Sequence, residues 1–149
     1  MTSRIPEIFL NNSTNEKKTF ISYLVCGDPS TKHTISAMNT MASSGVDIIE
    51  LGIPFTDPIA DGPVIQKSID RSLKNNTSLK DVISLVKEFR KNNKETAVVL
   101  MGYMNPIHKM GIGKFVKLIN NSDIDGVLVV DSPPEESQKL NNLLRKSKK

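Results

Sequence analysis

Four short apolar runs, separated by stretches of helical period, limit what this chain can become. The runs are residues 19–25 (TFISYLV), 46–51 (VDIIEL), 97–101 (AVVLM) and 126–130 (GVLVV). Each is short and rich in β-branched residues, as strands covered on both faces are. In residues 78–92 the apolar positions Leu79, Val82, Ile83, Val86 and Phe89 follow the i, i+3, i+4, i+7 rule of a helix with one buried stripe. Ile112, Phe115, Val116 and Ile119 repeat that spacing, and Ile35, Met38 and Ala42 give a weaker version. Ser30 or Thr31 is placed to cap the first helix, and Ser78 to cap the later one with Asp81 three residues on. The order is strand–helix three times over, then a fourth strand and a final amphipathic piece near Pro134. Such alternation implies parallel strands joined by right-handed crossovers. The expected sheet order is 1-2-3-4. The longer step from the second strand to the third leaves room for a short extra helix after Gly62.

A chain of 149 residues suits one domain. No apolar run approaches the roughly 20 residues of a membrane span, and the opening MTSRIPEIFLNN lacks a signal-peptide core. With a single cysteine, Cys26, the expectation is a cytoplasmic protein that does not act at a membrane. The net charge of +4 has a local origin. Arg145, Lys146, Lys148 and Lys149 account for four of the 20 basic residues, which leaves 16 against 16 acids in the body. A neutral body gives no case for a nucleic-acid face, and the basic tail reads as a solvated helix end.

Parallel α/β folds place their chemistry at the carboxyl ends of the strands. Gly27-Asp28, Glu50, Tyr103-Met104-Asn105 and Asp131 all fall at such ends. The stretch 48–66, IIELGIPFTDPIADGPVIQ, adds Asp57 and Asp61 in a segment too proline-rich to be a strand. Side chains alternate along a strand. Glu50 therefore shares a face with Ile48 and Gly52, opposite Ile49 and Leu51, and points to the inner side of the sheet if the latter pack on helices. Glu50 is either a working acid or a structural glutamate, at a wet strand end or paired to a lysine. Asp61, before Gly62-Pro63, is also a good helix N-cap, and Asp57-Pro58 a turn start. His33 and His108 have no metal-ligand spacing and read as surface residues; no metal site is expected. No dinucleotide fingerprint, P-loop or nucleophile elbow occurs.

ELGIPFTDPIADGPVIQ strongly resembles the signature of the tryptophan synthase alpha chain family. SYLVCGDPS (22–30), LMGYMNPIHKMGIGKF (100–115) and DGVLVVDSPPEES (125–137) resemble it too, in order and at matching spacing. The resemblance implies a (β/α)₈ TIM barrel with an extra N-terminal helix. It implies cleavage of indole-3-glycerol phosphate to indole and glyceraldehyde 3-phosphate in tryptophan biosynthesis. It also implies an alpha2-beta2 complex whose beta chain carries pyridoxal phosphate, the alpha chain itself needing no cofactor. By motif position, Glu50 and Asp61 match the catalytic acids, and Tyr103 and Asp131 match residues near the indole pocket. Asp57, Pro58 and the 105–109 loop, with Asn105, Pro106 and Ile107, match segments that meet the beta chain. The chemistry suits two unlike acids: one carboxyl group moving protons, and one carboxylate offsetting charge on the ring nitrogen.

A TIM barrel needs about 250 residues. This chain has four strands and stops within the fourth helix, so residues 1–149 are expected to form one incomplete domain, the N-terminal half-barrel. The usual phosphate loops follow strands 7 and 8. The expectation is a lyase complete only with further sequence; the alternative is a non-catalytic remnant that docks on the beta chain. A third, weaker possibility is another barrel enzyme acting on a sugar phosphate.

Overall fold

The computed structural model describes residues 2–147. Eleven elements follow one another: α1 (Ile5–Thr14), β1 (Ile21–Val25), α2 (Thr31–Ser43), β2 (Ile48–Gly52), α3 (Pro63–Lys74), α4 (Leu79–Phe89), β3 (Ala97–Gly102), α5 (Met104–Met110), α6 (Ile112–Asn121), β4 (Gly126–Val129) and α7 (Gln138–Lys146). The strands form one sheet in the order β1-β2-β3-β4, with every pair parallel. The register aligns Tyr23, Glu50, Val99 and Gly126 across all four strands.

The two faces of the sheet differ. Ile49, Leu51, Val98 and Leu100 are fully buried under the helices. Each contributes roughly 1.5–3 kcal/mol relative to an exposed position. The five predicted apolar positions of α4 are all buried, as are Phe115, Val116 and Ile119 of α6 and Met38 of α2. On the other face Glu50, Val99 and Met101 are only half-buried, and Ile21 and Leu128 are exposed. That face is sealed only in part, at Val25 near its upper end and at its lower end. Ile48 and Ala97 are buried there, and Ile5 of α1 reaches within 3.5 Å of where a Gly126 Cβ would stand.

A buried charge network fastens α1 below the sheet. The Asp125 carboxylate has no exposed surface. It accepts from Arg90 Nη2 (2.7 Å), the Val98 amide (2.9 Å), the Arg4 amide (2.9 Å) and Arg4 Nη1 (3.0 Å). Arg4 also pairs with Asp123 and donates to the Lys94 carbonyl. In barrels this amino-terminal end of the strands serves stability rather than chemistry.

Several local expectations change. Strands β1 and β2 begin two residues later than predicted, because Phe20 and Asp47 pair outside the regular ladder: the Asp47 amide donates to the Phe20 carbonyl. Ser30 caps α2, and Ser78 with Asp81 forms a full capping box on α4. The helix after Gly62 is not short; α3 has 12 residues. Residues 105–109 are not a loop but lie within α5. Of the basic tail, Arg145 and Lys146 close the last turn of α7, while Lys148 and Lys149 lie outside the described residues.

Candidate active site

Glu50 projects from the inner face near the carboxyl end of β2, half-buried, as its alternation with Ile49 and Leu51 requires. After Gly52 the chain leaves the sheet, and residues 53–62 form the connection to α3. Pro54 and Pro58 deny this segment a strand's hydrogen bonding. Internal turns shape it instead: the Ile59 amide donates to the Asp57 carbonyl (2.9 Å), and the Asp61 amide to that of Pro58 (3.1 Å).

Tyr103 fixes the far end of this loop. It follows β3 directly, is 2% exposed, and packs its ring 5.3 Å from that of Phe55. Its hydroxyl accepts from the Ala60 amide (3.0 Å) and donates to Asp61 Oδ2 (2.6 Å). Burial, with the hydrogen bond to Asp61, pushes the Tyr103 phenol up to about 12. It thus remains a donor, and holds one carboxylate oxygen of Asp61 while the other keeps its acceptor capacity. Asp61 does not cap α3. Gly62 is the N-cap with Pro63 at the first helical position, and no side chain caps that end. Gln66 instead ties the Asp61 carbonyl to the helix (2.8 Å).

Asp131 is exposed just past β4, and its Oδ1 accepts from the Met104 amide (2.8 Å) at the start of α5. Its visible work is to cap that helix beside Tyr103. Asp57 is exposed and accepts from the Thr56 hydroxyl (2.6 Å); Pro58 is half-buried on the same loop. Asn105 is exposed and Pro106 half-buried on α5, but Ile107 is fully buried in the core. Ile107 therefore offers no surface to a partner, which corrects its expected place on a docking loop. His33 and His108 are both exposed. Among the described residues no group of three or more His, Cys, Asp or Glu side chains is placed to hold a metal, and no helix is long and apolar enough to cross a membrane.

Sequence reasoning passed over Tyr23. It pairs with Glu50 across β1 and β2, and its hydroxyl leans toward the carboxyl end of the sheet over Gly52. A Cβ at Gly52 would stand 2.3 Å from that oxygen. Any larger residue at Gly52 would displace the phenol. Burial, then the charge of Asp61, push the Tyr23 phenol above its ordinary range, with smaller effects from Tyr103 and Glu50. The one available signal was its position: Tyr23 lies two residues after Ile21 on an inner-facing strand register.

The β1–α2 turn is built tightly beside these groups. Gly27 has φ +85°, and an added Cβ would lie 2.2 Å from Thr77 Oγ1. Asp28 takes a two-pronged bond from Arg71 of α3 (2.7 Å each), which lowers its carboxyl below the usual range. Open hollows lie elsewhere, such as one of about 350 Å³ between α2 and α4 lined by Ile35, Asp81 and Leu85. The acids face the open side of the sheet, where no second wall encloses them.

The profile of the tryptophan synthase alpha chain family matches residues 9–148. The chain belongs to the tryptophan synthase alpha chain family. The alpha chain of Nitrosomonas europaea is 50% identical over 134 residues, which cover 90% of this chain and 49% of that relative. That of Vesicomyosocius okutanii is 46% identical over 95% of this chain and 53% of its own length. Tryptophan synthase subunit alpha from Legionella pneumophila superposes with a TM-score of 0.96 at 39% identity, covering 99% of this chain and 56% of that structure. A Mycobacterium tuberculosis tryptophan synthase chain follows at 0.93 and 27%. The chain spans about half the length of the alpha chains it matches. Its four parallel β/α units are thus half of the family's TIM barrel.

Proposed function

We propose that this chain carries the acid pair of an alpha-chain lyase, which cleaves indole-3-glycerol phosphate to indole and glyceraldehyde 3-phosphate. The observation that carries this reading is the placement of two unlike carboxyl groups on one open face: Glu50 on a rigid strand, Asp61 on the next loop with one oxygen already held by Tyr103. Membership in the family supports it.

The chemistry follows from that placement. The Glu50 carboxyl group delivers a proton to indole C3. The bond from C3 to the glycerol chain breaks, and its electron pair returns to the ring. Glu50, now a carboxylate, takes the proton of the adjacent hydroxyl as that carbon becomes the aldehyde. One group gives and receives, so the cycle closes. The free oxygen of Asp61 accepts the indole N–H and offsets the positive charge on the ring during transfer. Tyr103 keeps Asp61 aimed, and Tyr103 and Asp131 border the ring's place. The phosphate is held by units beyond the four described here, as in other barrels. The partner is a beta chain that brings pyridoxal phosphate, docking on Asp57, Pro58, Asn105 and Pro106.

The test is a chimera in which this chain is followed by the part of the Nitrosomonas europaea alpha chain that lies beyond the match. It should release indole. Glu50→Gln should lower kcat by about 10²–10⁴-fold with substrate still bound, and Asp61→Asn should also lower it. Near-parental turnover in Glu50→Gln would assign that residue to structure. The 149-residue chain alone should release no indole. If it docks on the beta chain while the chimera is also inactive, a docking role alone remains.

A further inference from the structure

Of the two acids, only Glu50 is held by a strand. Asp61 ends the 53–62 loop, and the residue after it, Gly62, is of the type with the widest backbone freedom. Its carboxylate has one tie, from the Tyr103 hydroxyl to Oδ2. A single hydrogen bond sets a distance and leaves the group free to swing about that contact, carrying the other oxygen with it. The main chain of Asp61 is gripped from α3. Gln66, one turn into that helix, takes two successive carbonyls: its amide donates to Gly62 (3.0 Å) and its side-chain Nε2 to Asp61 (2.8 Å). The Asp61 amide is engaged in turn by the Pro58 carbonyl (3.1 Å). Helix α3 is itself bolted to the end of β1, through Ser72 Oγ to the Cys26 carbonyl (2.5 Å) and Arg71 to Asp28. All of these partners lie in the 53–62 loop, α3 and the β1–α2 turn, away from the open face of the sheet. The Gln66 side chain is exposed, so its bond adds little to stability. Water would satisfy the Asp61 carbonyl as well, but would not fix its direction.

We propose that Gln66 is a positioning residue: by tying the Asp61 carbonyl to α3, it fixes the main chain from which the Asp61 carboxylate is aimed at the indole N–H. The proposal rests on the lyase reading above, in which the free oxygen of Asp61 accepts that N–H. A carboxylate offsets the ring charge fully only when its oxygen lies close to and in line with the N–H, and a misplacement of about 1 Å can cost about 10²-fold in rate. Tyr103 restrains the carboxylate at its tip, and Gln66 restrains it at its root. Methionine has nearly the length and helix propensity of glutamine and no donor. Gln66→Met therefore removes the restraint and little else.

The experiment is calorimetry on the chimera with two unreactive ligands. One is the substrate analogue lacking its two secondary hydroxyls. The other is the same molecule with benzothiophene in place of indole, which keeps the shape and has no N–H. The parent chimera should prefer the indole analogue by about 10- to 100-fold, the size of a hydrogen bond to a charged acceptor. Gln66→Met should weaken the indole analogue by about 5-fold and leave the benzothiophene analogue unchanged. With indole-3-glycerol phosphate it should lower kcat by about 10-fold, less than the full cost of misplacement because Tyr103 still holds one oxygen. Lys67→Met, next along the same helix and without a bond to the loop, should match the parent in all three measurements. Equal weakening of both analogues by Gln66→Met would assign Gln66 to the fold and overturn the proposal. An undiminished preference for the indole analogue would overturn it too, and both outcomes leave the lyase reading standing. A parent chimera that neither releases indole nor prefers the indole analogue would refute the lyase reading, and the role of Gln66 with it.

Discussion

Removing the Asp125 carboxylate should cost this chain a large part of its stability. In Asp125→Ala, four N–H groups lose their acceptor at once. Two belong to Arg4, whose side chain is 16% exposed and regains water easily. The Val98 amide and Arg90 do not. The Arg90 side chain is 7% exposed, and burial already presses its charged form, with Asp125 as the counterweight. Breaking a buried pair by deleting one partner costs about 3–5 kcal/mol. Arg90 keeps its bonds to the Thr96 and Asp123 carbonyls (2.7 and 3.0 Å), so the lower end, about 3 kcal/mol, is expected. Against a total of about 5–15 kcal/mol for a domain, with one sheet face uncovered, that is a severe loss. In urea, with a slope of about 2 kcal/mol/M, the midpoint should fall by about 1.5 M. Far-ultraviolet circular dichroism follows it, because the strands and helices unfold together. Arg4→Ala should cost only about 1 kcal/mol, since its groups are partly solvated. A shift below about 0.3 M in Asp125→Ala would refute the reasoning, as would an Arg4→Ala effect equal to it.

Docking on a beta chain predicts that Pro58→Asp in the chimera weakens binding in calorimetry while Ile107→Val leaves it unchanged, because Ile107 is fully buried; unchanged affinity in Pro58→Asp would remove the 53–62 loop from the interface. The raised tyrosines predict an alkaline limit. Folding favours the protonated phenols, so their contribution is intact below the ordinary value of 10.0 and is lost as pH rises through about 12 for Tyr103. Urea midpoints should drop between about pH 10 and about pH 12, and less so in Tyr103→Phe; an equal drop in that variant would place the sensitivity elsewhere.

The strands were legible because four β-branched runs admit few other states, and their parallel order followed from the helices between them. The inward aim of Glu50 followed from a period of two. Helix α5 was hidden by Pro106, which reads as a helix breaker. It stands at the third helical position, where the amide has no partner to lose. What failed at the site were long-range partners. Asp61 looks like an N-cap from its neighbours, yet its hydroxyl partner comes from 42 residues away. The Asp125 network joins residues 121 and 35 positions apart. No local pattern encodes such pairs; only the packed sheet brings them together.

The sequence contains two tyrosines and no tryptophan. Both tyrosines, Tyr23 and Tyr103, flank the acid pair. The tyrosine emission of this chain therefore comes from one spot at the carboxyl end of the sheet. Followed by emission, denaturation would report the collapse of the 53–62 loop and its neighbours; followed by circular dichroism, it would report the frame. If the loop loosens before the sheet does, the two curves separate, and the chain supplies, without any label, a gauge of how firmly its own acids are held.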